Sequence, residues 1–337
     1  MFTKNTCVFG HVHFLIKISM KTMASEVLHD KFNDNVRYLE IRYSPQLLMG
    51  SNLTCKQVVQ TILNSAIKTE TFLNSEANPV KRTEIEESGT TSEWPEFRIK
   101  FVLCGIWGCD DWLPELVDII QEVDPKHDYL VAIDMAGNSA GPLKNPATVK
   151  SIEGIYSKAR SLGIRATCHA GEDGASDTVV WAIENLGCSR VGHGYRLSED
   201  TNAWNKYMIK VESENEEDAS STTHIKLKPK PNKLTKPGPH FEMCPLSSIY
   251  TNVNNMRENH VLKNLRPSQH NISISTDNSG LHFSTLSTEY DYLESDYNWN
   301  FGDFCEGNLN ALGSSFGDLE DEYLDKFIKV YRMMIKL

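Results

Sequence analysis

The chain contains no run of the roughly 18 consecutive apolar residues that a bilayer crossing needs, so it is not read as a membrane-spanning protein. A secretory leader is not expected either. The apolar residues of Met1–Met20 are interrupted by Lys4, His11, His13 and Lys17, and no small-residue cleavage site follows them. Positive charge is in deficit: 34 Lys and Arg stand against 45 Asp and Glu, a formal net charge of −11. The repulsive field argues against a nucleic-acid partner and leaves a neutral small molecule open as a ligand. No G-x-G-x-x-G follows the first expected strand, so the usual mark of a dinucleotide-binding open sheet is missing.

What the chain does have is enough apolar material for a core. Hydrophobic residues make up 40% and charged residues 23% of 337 positions, which excludes global disorder. One α/β barrel fits this length, since such barrels run from about 250 to over 400 residues. The eight cysteines, Cys7, Cys55, Cys104, Cys109, Cys168, Cys188, Cys244 and Cys305, are irregularly spaced, and several sit inside apolar runs. They read as reduced core residues and favour a cytoplasmic location. A monomer is compatible with the sequence.

Short β-branched runs alternate with helix-length segments. The expected strands are Cys7–His13, Arg37–Tyr43, Arg98–Gly105, Tyr129–Met135, Arg165–Ala170, Arg190–Gly194, His240–Cys244 and Ile272–Asp277. Between them, Ser19–Phe32, Trp112–Val123, Ala147–Leu162 and Ala175–Leu186 read as helices, and a last one is expected over Asp318–Leu337. This alternation predicts a parallel sheet with right-handed crossovers. Eight strands suit a closed (β/α)8 TIM-type barrel, and an open doubly wound sheet is the alternative. Two stretches interrupt the pattern: the polar, acidic Asn74–Trp94, read as a surface loop, and Lys210–Pro239. In the second, an acidic half (Glu212–Asp218) precedes a Lys/Pro run, and a loosely ordered insert at 210–239 is expected within a single domain spanning 1–337.

Four polar clusters close expected strands, where a barrel's active-site loops converge. In Thr167-Cys168-His169-Ala170-Gly171-Glu172, an imidazole suited to zinc is followed three residues later by a carboxylate able to shuttle a proton. A capped strand end is the alternative. In Gly192-His193-Gly194, the histidine between two glycines is placed to stabilise charge at a reacting carbon, or is a satisfied buried histidine. In Ile272-Ser273-Ile274-Ser275-Thr276-Asp277-Asn278, Asp277 is a metal ligand or proton acceptor, or else a helix cap. In Asp134-Met135-Ala136-Gly137-Asn138, Gly137 lets a flat ring approach the backbone, or marks an ordinary turn.

Together, "IDMAGN", "CHAGEDG", "VGHGYR", "FEMCPLSS" and "ISISTDN" resemble, in order and rough spacing, the motifs of the adenosine deaminases, and "YLEIRYSPQLL" is similar to that family's second strand. The resemblance runs from about Ser19 to about Phe316, with Lys210–Pro239 as an extra. It implies a zinc-dependent (β/α)8 enzyme of purine salvage that hydrolyses adenosine, and often 2′-deoxyadenosine, to the inosine product. It further implies that His169 and Asp277 ligate zinc, that Glu172 protonates the purine N1, and that His193 orients the attacking water. Gly137 would donate its N–H to N3, and Asn278 would face N7. To act as the acid, Glu172 must hold a proton. The H-x-E and P-C-x-x-C pattern of the cytidine-type zinc deaminases is absent.

Two departures stand out. The family opens with a His-x-His pair that supplies two more zinc ligands. Here His11-Val12-His13 is followed by Phe-Leu-Ile-Lys-Ile and lies too close to Tyr38 for the family's helical lid. The preferred reading is that this pair is coincidental and the family's first strand is missing. The other is a true first strand with the lid deleted. The second departure is Asn278, where the family has an Asp. An amide donates to N7 without needing a proton. A catalytically impaired barrel that binds a nucleoside or a protein partner therefore competes with an active deaminase, and a deaminase of methylated or phosphorylated adenine nucleotides is a third reading.

Overall fold

The computed structural model describes residues 15–50, 53–80, 94–109, 111–137, 143, 145–208, 232–251 and 260–335. The expected strand Cys7–His13, with His11 and His13, lies outside them, as do 81–93 of the expected surface loop.

The other seven expected strands form, each within three residues of its expected limits. They are β1 (Tyr38–Tyr43), β2 (Arg98–Ile106), β3 (Leu130–Ala136), β4 (Arg165–Ala170), β5 (Arg190–His193), β6 (His240–Met243) and β7 (Ile272–Ile274). They pair in chain order, and every pairing is parallel. The helices on the outside are α1 (Leu15–Asn33), α2 (Cys55–Leu73), α3 (Trp112–Val123), α4 (Pro146–Ser161), α5 (Ser176–Glu184) and α6 (Thr201–Tyr207). They continue as α7 (Pro245–Tyr250), α8 (Ser279–His282), α9 (Leu286–Tyr297), α10 (Phe301–Gly313) and α11 (Asp321–Ile335). Crossover helices cover the outer face of a parallel sheet, so its strands are buried on both sides and read as continuous apolar runs. β3 shows this, being buried from Leu130 to Met135. α3 answers with Leu113, Leu116, Val117 and Ile120, all fully buried at helical spacing.

The sheet is curled, which rules out the open alternative. In a flat sheet β1 and β5 would lie about 19 Å apart at ~4.8 Å per strand. Yet Arg190 of β5 forms an ion pair with Glu40 of β1, and Arg42 of β1 pairs with Glu242 of β6. The seven strands therefore wrap an interior, and among the described residues they form an incomplete (β/α)8 barrel. α1 and α9 meet where the strand series begins and ends: Asp34 accepts from the Leu286 N–H at 2.8 Å and the Ser287 hydroxyl at 2.9 Å. At the strands' N-terminal end, the loop after α10 plugs the barrel. Phe316 N–H donates to Glu40 at 2.6 Å, and the Phe316 ring lies 3.8 Å from the Arg190 guanidinium.

The expected loose insert needs correction in its last part. Residues 232–239 are packed: Asn232 donates to the Leu312 carbonyl at 3.1 Å, Thr235 to Gly313 at 3.0 Å and Lys236 to Pro267 at 3.0 Å. The first two acceptors are carbonyls at the end of α10 that the helix cannot satisfy itself. The C-terminal helix begins at Asp321 rather than Asp318. All seven cysteines among the described residues are free, and no described helix is long and apolar enough to cross a membrane.

Charge fills the barrel interior. Glu242 receives Arg190 at 2.6 Å as well as Arg42, and Arg42 also reaches Asp134 at 3.1 Å. Burial alone would raise the Glu242 carboxyl, but the two guanidiniums outweigh it and hold the group down to about 2. A depressed carboxylate contributes stability that is complete above its unfolded value and is lost as pH falls through the folded one. Thermal melts of the wild type should therefore drop steadily between about pH 4.5 and about pH 2, and Glu242→Gln should flatten that drop. At neutral pH, Glu242→Ala leaves Arg190 with Glu40 and Arg42 with Asp134 as their remaining carboxylates and should cost about 1.5–3 kcal/mol in urea unfolding, the range for lost hydrogen bonds to charged groups.

Candidate active site

The four expected clusters all lie at the C-terminal rim. His169 sits near the end of β4 and His193 ends β5. Gly137 follows β3, and Asp277 and Asn278 follow β7. The β4–β5 register places His169 opposite Gly192 and Ala170 opposite His193, so the two imidazoles come from adjacent strands with ring centroids 5.2 Å apart.

Local sequence explains how the loops turn here. Pairing continues past the strands: Gly194 N–H donates to the Ala170 carbonyl, and Arg196 N–H to that of Gly171, both at 2.9 Å. This forces tight turns. Gly171 (φ +66°) and Gly194 (φ +72°) are left-handed, and a Cβ would lie 2.5 Å from Val179 at the first and 2.4 Å from the Phe241 ring at the second. Neither position accepts a side chain. His193 (φ +66°) and Asp277 (φ +52°) are left-handed without being glycine. Such conformations cost about 1–3 kcal/mol each and persist only where surrounding structure imposes them.

Glu172, His193 and Asp277 converge. One ligand atom from each lies within 4.8 Å of the others, and His193 Nε2 is 3.5 Å from Glu172 Oε2. Asp277 is held by the Ser247 hydroxyl, which donates to Oδ2 at 2.5 Å. His169 stands beside this group, with Nδ1 2.8 Å from Asp134 Oδ2, an ionic contact off the line of a straight hydrogen bond. Gly137 and Asn278 stand on the same rim, with Gly137 at φ +90°. The structure thus brings three of the six expected residues into one cluster and sets His169 at its edge.

The electrostatics differ across the two imidazoles. Burial pushes His193 down, and His169 adds to this against the pull of Glu172, so the ring is held neutral. Burial would also lower His169, but the Asp134 carboxylate outweighs it and raises the group. Burial raises Asp277, and His193 with the Ser247 hydroxyl more than reverses this, so it stays a carboxylate.

The donors fit a divalent metal. Imidazole and carboxylate are the ligands zinc takes, and two atoms bound at about 2.1 Å sit no more than about 4.2 Å apart, so the cluster needs little adjustment. His193 Nδ1 is buried with no hydrogen-bond partner among the described residues. Sequence reasoning assigned no role to Asp134, Arg42 or Ser247. A charged residue inside the apolar run Val131–Met135 was the available sign of the first. The others depend on strand curvature.

Comparison with known proteins agrees with this arrangement. A family model described as adenosine deaminase matches residues 14–329. Adenosine deaminase of Rattus norvegicus is 28% identical over 320 residues, covering 93% of this chain and 78% of that protein. Among solved structures, an adenine deaminase from Arthrobacter aurescens has a TM-score of 0.69 at 16% identity, covering 95% of this chain and 80% of that one. An amidohydrolase from Burkholderia ambifaria with bound Zn scores 0.67 at 17% identity, with 95% and 75% covered. At these identities the solved structures speak to the fold. The family model spans nearly the whole chain, and on that ground, with a rim built as described, the chain belongs to the adenosine deaminase family, a family of deaminating hydrolases.

Proposed function

We propose that this chain hydrolyses adenosine, and 2′-deoxyadenosine, to the inosine product and ammonia, in cytoplasmic purine salvage. The observation that carries the reading is the convergence of Glu172, His193 and Asp277 at the barrel rim. His169 and Asp277 would hold a zinc ion, which supplies Lewis acidity and brings the pKa of water towards about 7. The zinc-bearing neighbour supports that choice of metal, as does the chemistry of the pair, one imidazole and one carboxylate, both ligand types that zinc takes.

The chain's own groups then divide the work. Asp134, itself anchored by Arg42, fixes the His169 ring through Nδ1, as carboxylates behind metal-binding histidines do. His193, neutral and buried, takes a hydrogen bond from the attacking water and aims it at C6. Glu172 is only partly buried, with 21% of its side chain exposed, which lets it meet a bound ring. It delivers a proton to N1, so that C6 accepts the water oxygen. The Gly137 N–H and the Asn278 amide donate to N3 and N7 and orient the base. One proton of the attacking water passes to the C6 amino group, which leaves as ammonia, and the other returns to Glu172 as the C6 carbonyl forms.

Release of the C6 amine, as ammonia from adenosine, 2′-deoxyadenosine, adenine and AMP or as methylamine from N6-methyl-AMP, measured alongside zinc content, tests the reading. Adenosine and its 2′-deoxy form should give the highest kcat/KM. Preference for AMP or adenine, or no turnover by a zinc-loaded protein, rejects it. Glu172→Gln should lower kcat by about 10²–10⁴-fold with little change in KM, and full activity in that variant rejects the assigned acid.

A further inference from the structure

Glu289 has no place in the chemistry above, yet it is a carboxyl with none of its surface exposed. It sits in the first turn of α9 and reaches across to α7, where Oε2 accepts the Leu246 N–H at 2.9 Å. α7 needs such a partner. Its N-cap, Cys244, supplies no side-chain cap, and its first residue is Pro245, so the Leu246 N–H is a helix-end donor with no local acceptor. Tyr195, two residues beyond His193, ties the same helix end from the other side, its hydroxyl accepting the Cys244 N–H at 2.7 Å.

The cargo of α7 gives this anchoring its meaning. Ser247, the next residue after Leu246, donates to Asp277 Oδ2, and Asp277 is held in a left-handed conformation it would not choose alone. An apolar residue at 289 would fill the space and leave the Leu246 donor buried without a partner, at about 1–3 kcal/mol. Burial pushes the Glu289 carboxyl up to about 7 against the opposing Leu246 N–H, a cost that packing alone does not require.

We propose that Glu289 is a positioning residue: by holding the N-terminus of α7 it sets Ser247, and through Ser247 the orientation of Asp277. The inference rests on Asp277 serving as the metal-side carboxylate proposed above.

Hydrogen–deuterium exchange of the metal-free, full-length chain tests it. Glu289→Ala should speed exchange in both 244–250 and 275–279 by about tenfold, the effect of losing one buried hydrogen bond. Glu289→Gln, which keeps an acceptor, should restore protection in both segments, and Ser247→Ala should speed 275–279 alone. If Glu289→Ala does not fold, Glu289→Met keeps the volume and replaces it. Acceleration confined to 244–250, or a Gln variant as fast as Ala, overturns the proposal. In chelator competition, Glu289→Ala and Ser247→Ala should each weaken zinc binding by at least about tenfold, and the double variant should be no weaker than the worse single one. Additive losses would show two independent routes and also overturn it. A wild-type chain without zinc or turnover removes the proposed function, while the metal-free exchange arms still decide the role of Glu289.

Discussion

The ion network inside the barrel is the constraint on which the rest depends. Arg42 and Arg190 share Glu242, while Glu40 and Asp134 take their remaining faces. These residues come from β1, β3, β5 and β6, so the network exists only if the sheet is curled. Each charge is affordable inside a barrel only because another strand supplies its counter-ion. The upper member, Asp134, continues into His169. The same network therefore holds the barrel's curvature and, one contact further, the orientation of a rim imidazole.

Above the network, the rim is built under tension. His193 and Asp277 both adopt left-handed backbone, and each is fixed from outside its own strand. His193 is wedged between the turns at Gly171 and Gly194, where substituted side chains would collide with Val179 and Phe241. Asp277 is fixed through Ser247 on α7. Groups arranged in advance in this way need not reorganise when charge develops during a reaction, the condition under which electrostatic stabilisation is most effective.

Much of the fold was legible in the chain. The run Leu130–Ala136 and the apolar spacing of Trp112–Val123 identify a buried strand and its covering helix, because hydrophobic period reports burial directly. The ordered motifs around His169, His193 and Asp277 identify the family and the rim. Residues 232–239 were misread, because a Lys/Pro composition says nothing about unsatisfied carbonyls at the end of α10 waiting for donors. Asp134 appeared only as a charge in an apolar strand, and Glu289 gave no sign at all, since its partner Leu246 lies 43 positions away.

The sequence by itself therefore determined seven of the strands in their order, five of the helices, the family, and which side chains stand at strand ends, because these follow from local periodicity and from motif order. Only the tertiary structure decided which of those side chains meet. Glu172, His193 and Asp277 converge, while His169 leans on Asp134 and Asp277 leans on Ser247. Those contacts are fixed by how far the sheet curls and where α7 is anchored, quantities set by partners far apart in the chain that no local pattern encodes.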